Sequence, residues 1–114
     1  MIYVFDIDGT ICTKLCENKG QDYRDALPSK NRIKQINSLY DAGHTIILLT
    51  ARGMGRSNNN QTEAHAMFFD LTRAQLKKWG IKYHELFLGK PAADFYIDDK
   101  GINDKDFFKN KICP

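Results

Sequence analysis

The sequence predicts an α/β fold with a mainly parallel sheet. Two observations support this class. Short apolar runs of strand length recur along the chain, and segments with the 3.6-residue apolar spacing of a helix lie between them. Strands that alternate with helices are typical of parallel sheets. The length of 114 residues suits one hydrophobic core, so we expect a single domain over residues 1–114.

Four strands are predicted. Residues 2–5 form a continuous apolar run that ends at Asp6, and residues 44–50 form a second apolar run. Runs without polar alternation are typical of strands that are buried in a parallel sheet. Residues 85–88 give a weaker third strand, and residues 94–98 give a fourth.

Two helices are predicted between these strands. Ser29 is a suitable N-cap for the first helix. The apolar spacing predicts that this helix ends at Gly43. Thr62 is expected to cap the second helix, which ends at Gly80. A glycine just after the last helical residue is a common helix stop because it tolerates the left-handed conformation.

Bulk composition narrows the classes of function. The net charge is +3 and the charges are mixed along the chain, so no basic tail indicates a nucleic-acid partner. Three cysteines are an odd number, which argues against a disulfide framework and favours free thiols. The residues after Met1 lack a basic segment and a long apolar segment. We therefore expect no export signal, no membrane span and a cytoplasmic location.

Polar residues stand where three of the predicted strands end. The first strand ends at Asp6, the second at Thr50, and the fourth at Asp98 and Asp99. The carboxyl ends of parallel strands share one edge of the sheet, and α/β proteins bind their ligands there. We therefore expect these side chains to gather at one site.

Asp6 and Asp8 lie two residues apart and are followed by a Gly-Thr pair. Two carboxylates this close repel each other unless a proton or a cation intervenes. A hard divalent cation with oxygen ligands, such as Mg²⁺, resolves this repulsion. The pattern predicts an acidic binding site for Mg²⁺, to which Asp98 and Asp99 add a further carboxylate.

The same cluster suits a phosphate monoester. Lys90 lies shortly before the fourth strand and can offset the negative charge of a phosphate. The hydroxyl of Thr50 and the backbone N–H groups near Asp8 and Ala51 can donate hydrogen bonds to phosphoryl oxygens. One carboxylate can act as a covalent nucleophile. A second carboxylate can protonate the leaving alcohol and then activate water.

Four short segments resemble, in order, the motifs of the haloacid dehalogenase superfamily. An apolar strand followed by Asp-x-Asp-Gly-Thr corresponds to residues 4–10, and a Thr that ends the next strand corresponds to residues 49–52. A Lys ahead of the last strand corresponds to residues 89–91, and an acidic pair that closes this strand corresponds to residues 96–100. The resemblance implies a Rossmann-like, three-layer α/β/α fold.

The resemblance also implies a role for each carboxylate. Asp6 would be the nucleophile and a metal ligand. Asp8 would be the general acid/base and would lend its backbone oxygen to Mg²⁺. One of Asp98 and Asp99, in preference Asp98, would complete the metal site. The dehalogenases and phosphonatases of the superfamily lack an acid at the position of Asp8, so a phosphatase is the favoured member.

The remaining residues of the motifs would hold the substrate. Thr50 and Lys90 would bind the phosphoryl group during catalysis. The residues expected to contact the substrate besides these are Gly9, Thr10, Ala51 and Arg52. Arg56 lies in the polar loop after Arg52, and either guanidinium can fork onto a phosphate or a carboxylate.

The superfamily often carries a cap domain, and this sequence leaves little room for one. Residues 11–28 and 51–89 are too short for a sizeable independent cap. We expect a capless member with an open site. Open sites in this family are covered by a neighbouring subunit or accept large substrates, so a homo-oligomer is left open.

Three hypotheses for the function follow. The favoured one is a Mg²⁺-dependent phosphomonoesterase for a sugar phosphate or a similar small metabolite. The second is a phosphatase for nucleic-acid 3′-phosphate ends, which the absence of a basic patch or an aromatic run disfavours. The third is a non-catalytic phosphoacceptor or binding module, which Asp8 disfavours because such a module gains little from an acid/base.

The residues around Arg52 bear on the first two hypotheses. The Thr-Ala-Arg segment is similar to the phosphatase half of phage polynucleotide kinase/phosphatase. It is also similar to small phosphatases associated with surface-polysaccharide synthesis. We expect a small phosphorylated substrate and no membrane partner.

Overall fold

The computed structural model of the chain describes residues 1–14 and 22–109. It contains three strands, three α-helices and one 3₁₀ turn. In chain order these are β1 (Ile2–Phe5), the 3₁₀ turn (Tyr23–Asp25), α1 (Lys30–Asp41), β2 (Thr45–Thr50), α2 (Gln61–Trp79), β3 (Glu85–Leu88) and α3 (Asp104–Phe108). The predicted strands at the first three positions and both predicted helices are confirmed.

The three strands form one sheet in the order β1-β2-β3, and both pairs are parallel. Tyr3 lies opposite Ile46, and Leu48 lies opposite both Phe5 and Leu86. Each neighbouring pair is joined by a helix, as parallel pairing requires a crossover connection. The predicted α/β class and parallel sheet are confirmed.

One face of the sheet holds the core. Its side chains pack against residues of all three helices, and the shared set is Tyr3, Phe5, Ile46, Leu48, Leu86, Ile33, Ile36, Leu76 and Phe108. Right-handed crossovers between strands in sequential order place α1 and α2 on the same face. Full burial of each such apolar side chain contributes about 1.5–3 kcal/mol.

The opposite face of the sheet is more exposed. Ile2, Val4 and Phe87 share that face by the strand register, and they are 70%, 57% and 50% exposed. The described residues thus supply one of the two helical layers that a three-layer fold contains.

Capping residues explain where α1 and α2 begin and where α2 ends. The Ser29 hydroxyl accepts a hydrogen bond from the N–H of Arg32, as predicted for the N-cap of α1. α2 begins earlier than expected, because the Asn60 side chain accepts from the N–H of Glu63 and so takes the N-cap position predicted for Thr62. Gly80 ends α2 in the left-handed conformation with φ of 74°.

The expected fourth strand over residues 94–98 is wrong. The structure places these residues outside the sheet, and Phe95 and Ile97 are 81% and 95% exposed. At the end of this segment, the Asp98 carboxylate accepts from the N–H groups of Lys100 and Gly101. Side-chain to backbone bonds of this kind compete with a β-ladder.

A buried ion pair ties α3 to the turn after β1. Arg32, whose side chain is fully buried, donates to Asp104 at 2.7 Å. The same nitrogen donates to the backbone oxygen of Thr10 at 3.1 Å, and the guanidinium lies over the ring of Phe108. The turn that follows Asp6 is therefore anchored to two helices.

Among the described residues, no helix has the length and apolar character that crossing a membrane requires.

Candidate active site

The turn after β1 shapes the site. The backbone oxygen of Ile7 accepts from the N–H groups of Thr10, Ile11 and Cys12, at 2.8–3.3 Å. Gly9 adopts a positive φ of 84°, which residues with a Cβ rarely tolerate. The tight turn keeps Asp6 and Asp8 at the carboxyl end of β1.

Asp6 lies between a hydroxyl and an ammonium group. The Thr10 hydroxyl donates to its Oδ2 at 3.5 Å, and the Nζ of Lys90 lies 3.7 Å from its Oδ1. Burial raises the pKa of Asp6, while Lys90 and the backbone N–H of Ile7 act in the opposite direction. This carboxylate thus has Lys90 as a cationic neighbour, and 32% of the Asp6 side chain is exposed.

The end of β2 positions Lys90. The backbone oxygen of Thr50 accepts from the N–H groups of Gly89 and Lys90, at 3.1 and 3.2 Å. The ammonium group also lies 4.3 Å above the centre of the Tyr96 ring. Thr50 and Lys90, which were both predicted to hold the phosphoryl group, are thus joined directly by a backbone hydrogen bond.

Asp8 is held by Arg52. The Nε of Arg52 donates to Oδ2 of Asp8 at 2.9 Å, and its Nη2 donates to Oδ1 at 3.0 Å. The Cys12 thiol donates to the same Oδ1 at 3.4 Å. The Arg52 side chain is fully buried, whereas 21% of the Asp8 side chain remains exposed. Paired fork-like bonds of this type are strong and fix the relative orientation of the two groups.

Residues of α2 and of the 3₁₀ turn surround Arg52. Its Nη1 donates to Gln75 at 2.7 Å and to Thr72 at 3.3 Å. Its guanidinium lies 4.8 Å from the centre of the Tyr23 ring. None of these three partners was predicted from the sequence. Thr72 and Gln75 are three residues apart on one helix face, yet nothing in that spacing singles them out.

The other residues expected to touch the substrate have different positions. The backbone oxygen of Ala51 accepts from the N–H of Met54, so Ala51 opens the turn after β2. The exposed Arg56 lies over the rings of Tyr23 and Phe68. The backbone N–H of Gly53 donates to the Tyr23 hydroxyl at 3.2 Å.

Asp98 and Asp99 lie at the end of the segment that was expected to form the fourth strand. Both are exposed, and hydrogen bonds from the N–H groups of Lys100 and Gly101 lower the pKa of Asp98. Within residues 1–14 and 22–109, no three side chains of the His, Cys, Asp and Glu types are placed to hold a metal ion together. Metal binding by Asp98 and Asp99 stays a prediction.

The described residues are nevertheless compatible with a Mg²⁺-binding site at Asp6. Mg²⁺ usually keeps several waters and binds one or two carboxylates together with substrate phosphate oxygens. Asp6 supplies a carboxylate of this kind that is partly exposed. A cation there would oppose the effect of burial on its pKa, because a nearby positive charge favours the ionised form.

Cys12 is expected to be unreactive in the folded protein. It is fully buried, and its burial beside the Asp8 carboxylate raises the pKa of the thiol. Only the thiolate is nucleophilic, so we expect iodoacetamide to leave Cys12 unmodified in native buffer and to modify it in denaturant. Peptide mass spectrometry measures both states. Modification of Cys12 at equal rates in the two buffers would contradict this burial.

Comparisons with known proteins identify two similar solved structures. The crystal structure of an MCSG target from Vibrio cholerae has a TM-score of 0.82 and 27% identity, over 97% of this chain and 89% of that one. The structure of D,D-heptose 1,7-bisphosphate phosphatase from B. bronchiseptica, complexed with magnesium and phosphate, has a TM-score of 0.51 and 19% identity. That match covers 82% of this chain, which spans about half, 51%, of the phosphatase. No family model and no curated protein matches the sequence.

Proposed function

This chain has the haloacid dehalogenase-like α/β fold, and from that premise we propose that it is a Mg²⁺-dependent phosphomonoesterase. One observation carries the proposal. Asp6 directly follows β1 and has its carboxylate beside Lys90 and Thr10. Asp8, two residues later, has a separate carboxylate that Arg52 holds. The two acids therefore have different surroundings: Asp6 lies beside an ammonium group and a hydroxyl, whereas Asp8 is held by Arg52 and keeps part of its side chain exposed.

The first half of the proposed reaction transfers the phosphoryl group to the protein. An Oδ atom of Asp6 attacks the phosphorus atom, and the bond from phosphorus to the leaving oxygen breaks. Asp8 in its protonated form gives its proton to that leaving oxygen, which departs as an alcohol. Lys90 stabilises the negative charge of the phosphoryl oxygens near Asp6.

The second half releases phosphate. A water molecule attacks the phosphorus atom of the aspartyl-phosphate, and the ionised Asp8 takes a proton from that water. The bond from phosphorus to the Asp6 oxygen breaks. Inorganic phosphate leaves, Asp6 is a carboxylate again, and Asp8 carries the proton needed for the next cycle.

Magnesium fits the oxygen donors at the proposed site. The Asp6 carboxylate and the backbone oxygen of Asp8 would hold it, with Asp98 or Asp99 as the proposed further ligand. When bound, the ion supplies positive charge that draws an anionic phosphate to an acidic site. The residues of the chain still provide the nucleophile, the proton and the ammonium group.

We propose a sugar phosphate or a similar small metabolite as the substrate. The similar B. bronchiseptica protein is named for a sugar bisphosphate, and this supports the class of substrate. The described residues include no cap domain above Asp6, so the substrate is expected to be selected by the loops around the site.

An activity assay tests this function. We expect p-nitrophenyl phosphate to be hydrolysed in Mg²⁺ buffer and the rate to fall by about 10²-fold or more in excess chelator, since the cation supplies several kcal/mol of charge stabilisation. Adding Mg²⁺ back should restore the rate. Equal rates with and without chelator would contradict the metal dependence.

A substrate panel tests the class of substrate. Sugar phosphates and sugar bisphosphates are compared with 3′-phosphorylated oligonucleotides at equal concentration, with kcat/KM as the measured quantity. We expect the highest kcat/KM for a sugar phosphate. A clear preference for the oligonucleotides would favour end processing of nucleic acid instead.

A further inference from the structure

We propose that Arg52 is a positioning residue for Asp8 and that it does not bind the substrate. The inference rests on the proposed function, because it takes Asp8 as the acid/base. It replaces the expectation that Arg52 contacts the substrate. Three features support it: the directions of the guanidinium N–H groups, the burial of the side chain and the openness of the site.

The N–H groups of Arg52 are mostly used inside the protein. A guanidinium has five N–H donors in a fixed plane. Two of them bond to the two oxygens of Asp8, and Nη1 bonds to Gln75 and Thr72. Four of the five donors are thus directed at named acceptors of the chain. Little capacity remains for a substrate phosphate.

The surroundings of Arg52 keep it in place. Its side chain is fully buried, and the Tyr23 ring lies beside the guanidinium. Gln75 is itself fixed, because its Nε2 donates to the backbone oxygen of Tyr23 at 2.7 Å. The backbone N–H of Arg52 donates to the Thr50 hydroxyl at 3.1 Å. The network joins the 3₁₀ turn, the end of β2 and α2 beneath Asp8.

A site without a cap domain needs its catalytic groups to be held by contacts from the protein interior. A catalytic group must be held within about 0.5 Å and 10–20° of its working geometry. The described residues include no cap domain that could press on Asp8 from the solvent side. The fork of Arg52 contacts both Asp8 oxygens and so defines the plane of the carboxylate. A lysine could provide the charge but not this geometry.

The test compares two leaving groups in an Arg52→Lys variant. p-Nitrophenolate leaves without a proton, whereas the alkoxide of an alkyl phosphate must be protonated by Asp8. If Arg52 positions Asp8, kcat/KM for the alkyl phosphate should fall by about 10²-fold or more, the order of a general-acid contribution. The value for p-nitrophenyl phosphate should fall by much less. Equal losses for the two substrates would indicate substrate binding and would overturn the proposal.

Two further variants complete the comparison. Arg73→Lys is the matched control, because Arg73 lies on α2 next to Thr72 but is exposed, and we expect both kcat/KM values to stay unchanged. Gln75→Met removes one anchor of Arg52 and keeps the fork to Asp8. It should produce a smaller loss with the same preference for the alkyl substrate, even if Arg52→Lys folds poorly. No preference in Gln75→Met would count against the proposal.

A stability measurement separates this inference from the proposed function. If the wild type hydrolyses neither substrate with Mg²⁺, the phosphatase function fails, and the pairing is judged by melting temperatures alone. Arg52→Lys, Asp8→Ala and the double variant form a cycle. We expect the double variant to lose less than the sum of the two single losses. Additive losses would show that Arg52 does not hold Asp8.

Discussion

Replacing Asp6 with asparagine is expected to abolish phosphatase activity and to raise the melting temperature at neutral pH. Loss of the nucleophile removes the covalent step, so kcat should fall by roughly 10⁴-fold or more, as when other covalent nucleophiles are removed. The gain in stability follows from burial, which raises the pKa of Asp6 and so disfavours its ionised form in the folded state.

The sign of the pH effect follows from proton linkage. A carboxyl whose pKa is higher in the folded state than its unfolded value of 3.8 contributes stability at low pH, and this contribution is lost as pH rises through the folded pKa. At neutral pH the wild type has lost it, whereas Asp6→Asn has no charge to bury. The difference in melting temperature should therefore be largest at about pH 7 and shrink below about pH 4.

Differential scanning fluorimetry across this pH range measures the effect beside the activity assay. Asp70→Asn is the control, because its exposed side chain lies on α2 and its replacement should change neither quantity much. A lower melting temperature for Asp6→Asn at neutral pH would show that the contacts with Lys90 and Thr10 outweigh burial. Turnover close to that of the wild type would exclude Asp6 as the nucleophile.

Replacing Asp8 should strongly reduce both stability and activity. Two variants, Asp8→Ala and Asp8→Asn, separate the loss of stability from the loss of activity. Asp8→Ala leaves the buried Arg52 guanidinium without its counter-ion. Removing one partner of a buried ion pair costs about 3–5 kcal/mol, which for a domain of this size lowers the melting temperature by roughly 10 °C or more. Asp8→Asn keeps an oxygen acceptor for Arg52 and should lose much less stability.

The activity of Asp8→Asn should not follow its stability. Asp8→Asn cannot donate or accept the catalytic proton, so its kcat should fall by about 10²–10⁴-fold although it stays folded. With p-nitrophenyl phosphate the first transfer needs no acid, so the aspartyl-phosphate should accumulate and be visible by intact-protein mass spectrometry. An unchanged kcat would exclude Asp8 as the acid/base. An Asp8→Ala variant as stable as Asp8→Asn would show that Arg52 does not depend on this counter-ion.

Part of this site could be predicted because strand ends carry positional information. An apolar run that stops at Asp6 or Thr50 places that residue at the edge of a parallel sheet where ligands bind. The structure does place Asp6, Asp8 and Lys90 together. The predicted strand over residues 94–98 is absent although the segment is apolar: Phe95 and Ile97 are exposed, and the Asp98 carboxylate bonds to the backbone that follows the segment.

The surroundings of Asp8 could not be predicted from the sequence. Arg52 was recognised as a guanidinium near the site, but the sequence does not tell whether it points to solvent or inward. That choice depends on Gln75 and Tyr23, which are distant in the chain and common residue types. Contacts between separate elements are set by packing, and a single sequence carries little signal for them.

The ion pair between Arg32 and Asp104 also affects when the candidate site forms during synthesis and folding. These residues are 72 positions apart, and the same Arg32 nitrogen holds the turn that follows Asp6. Chain synthesis proceeds from the N-terminus, and contacts between distant residues form late because a long loop must close first. Asp6, the proposed nucleophile, precedes α3 by most of the chain. We therefore expect the turn after Asp6 to receive the support of α3 late, only after α3 has left the ribosome.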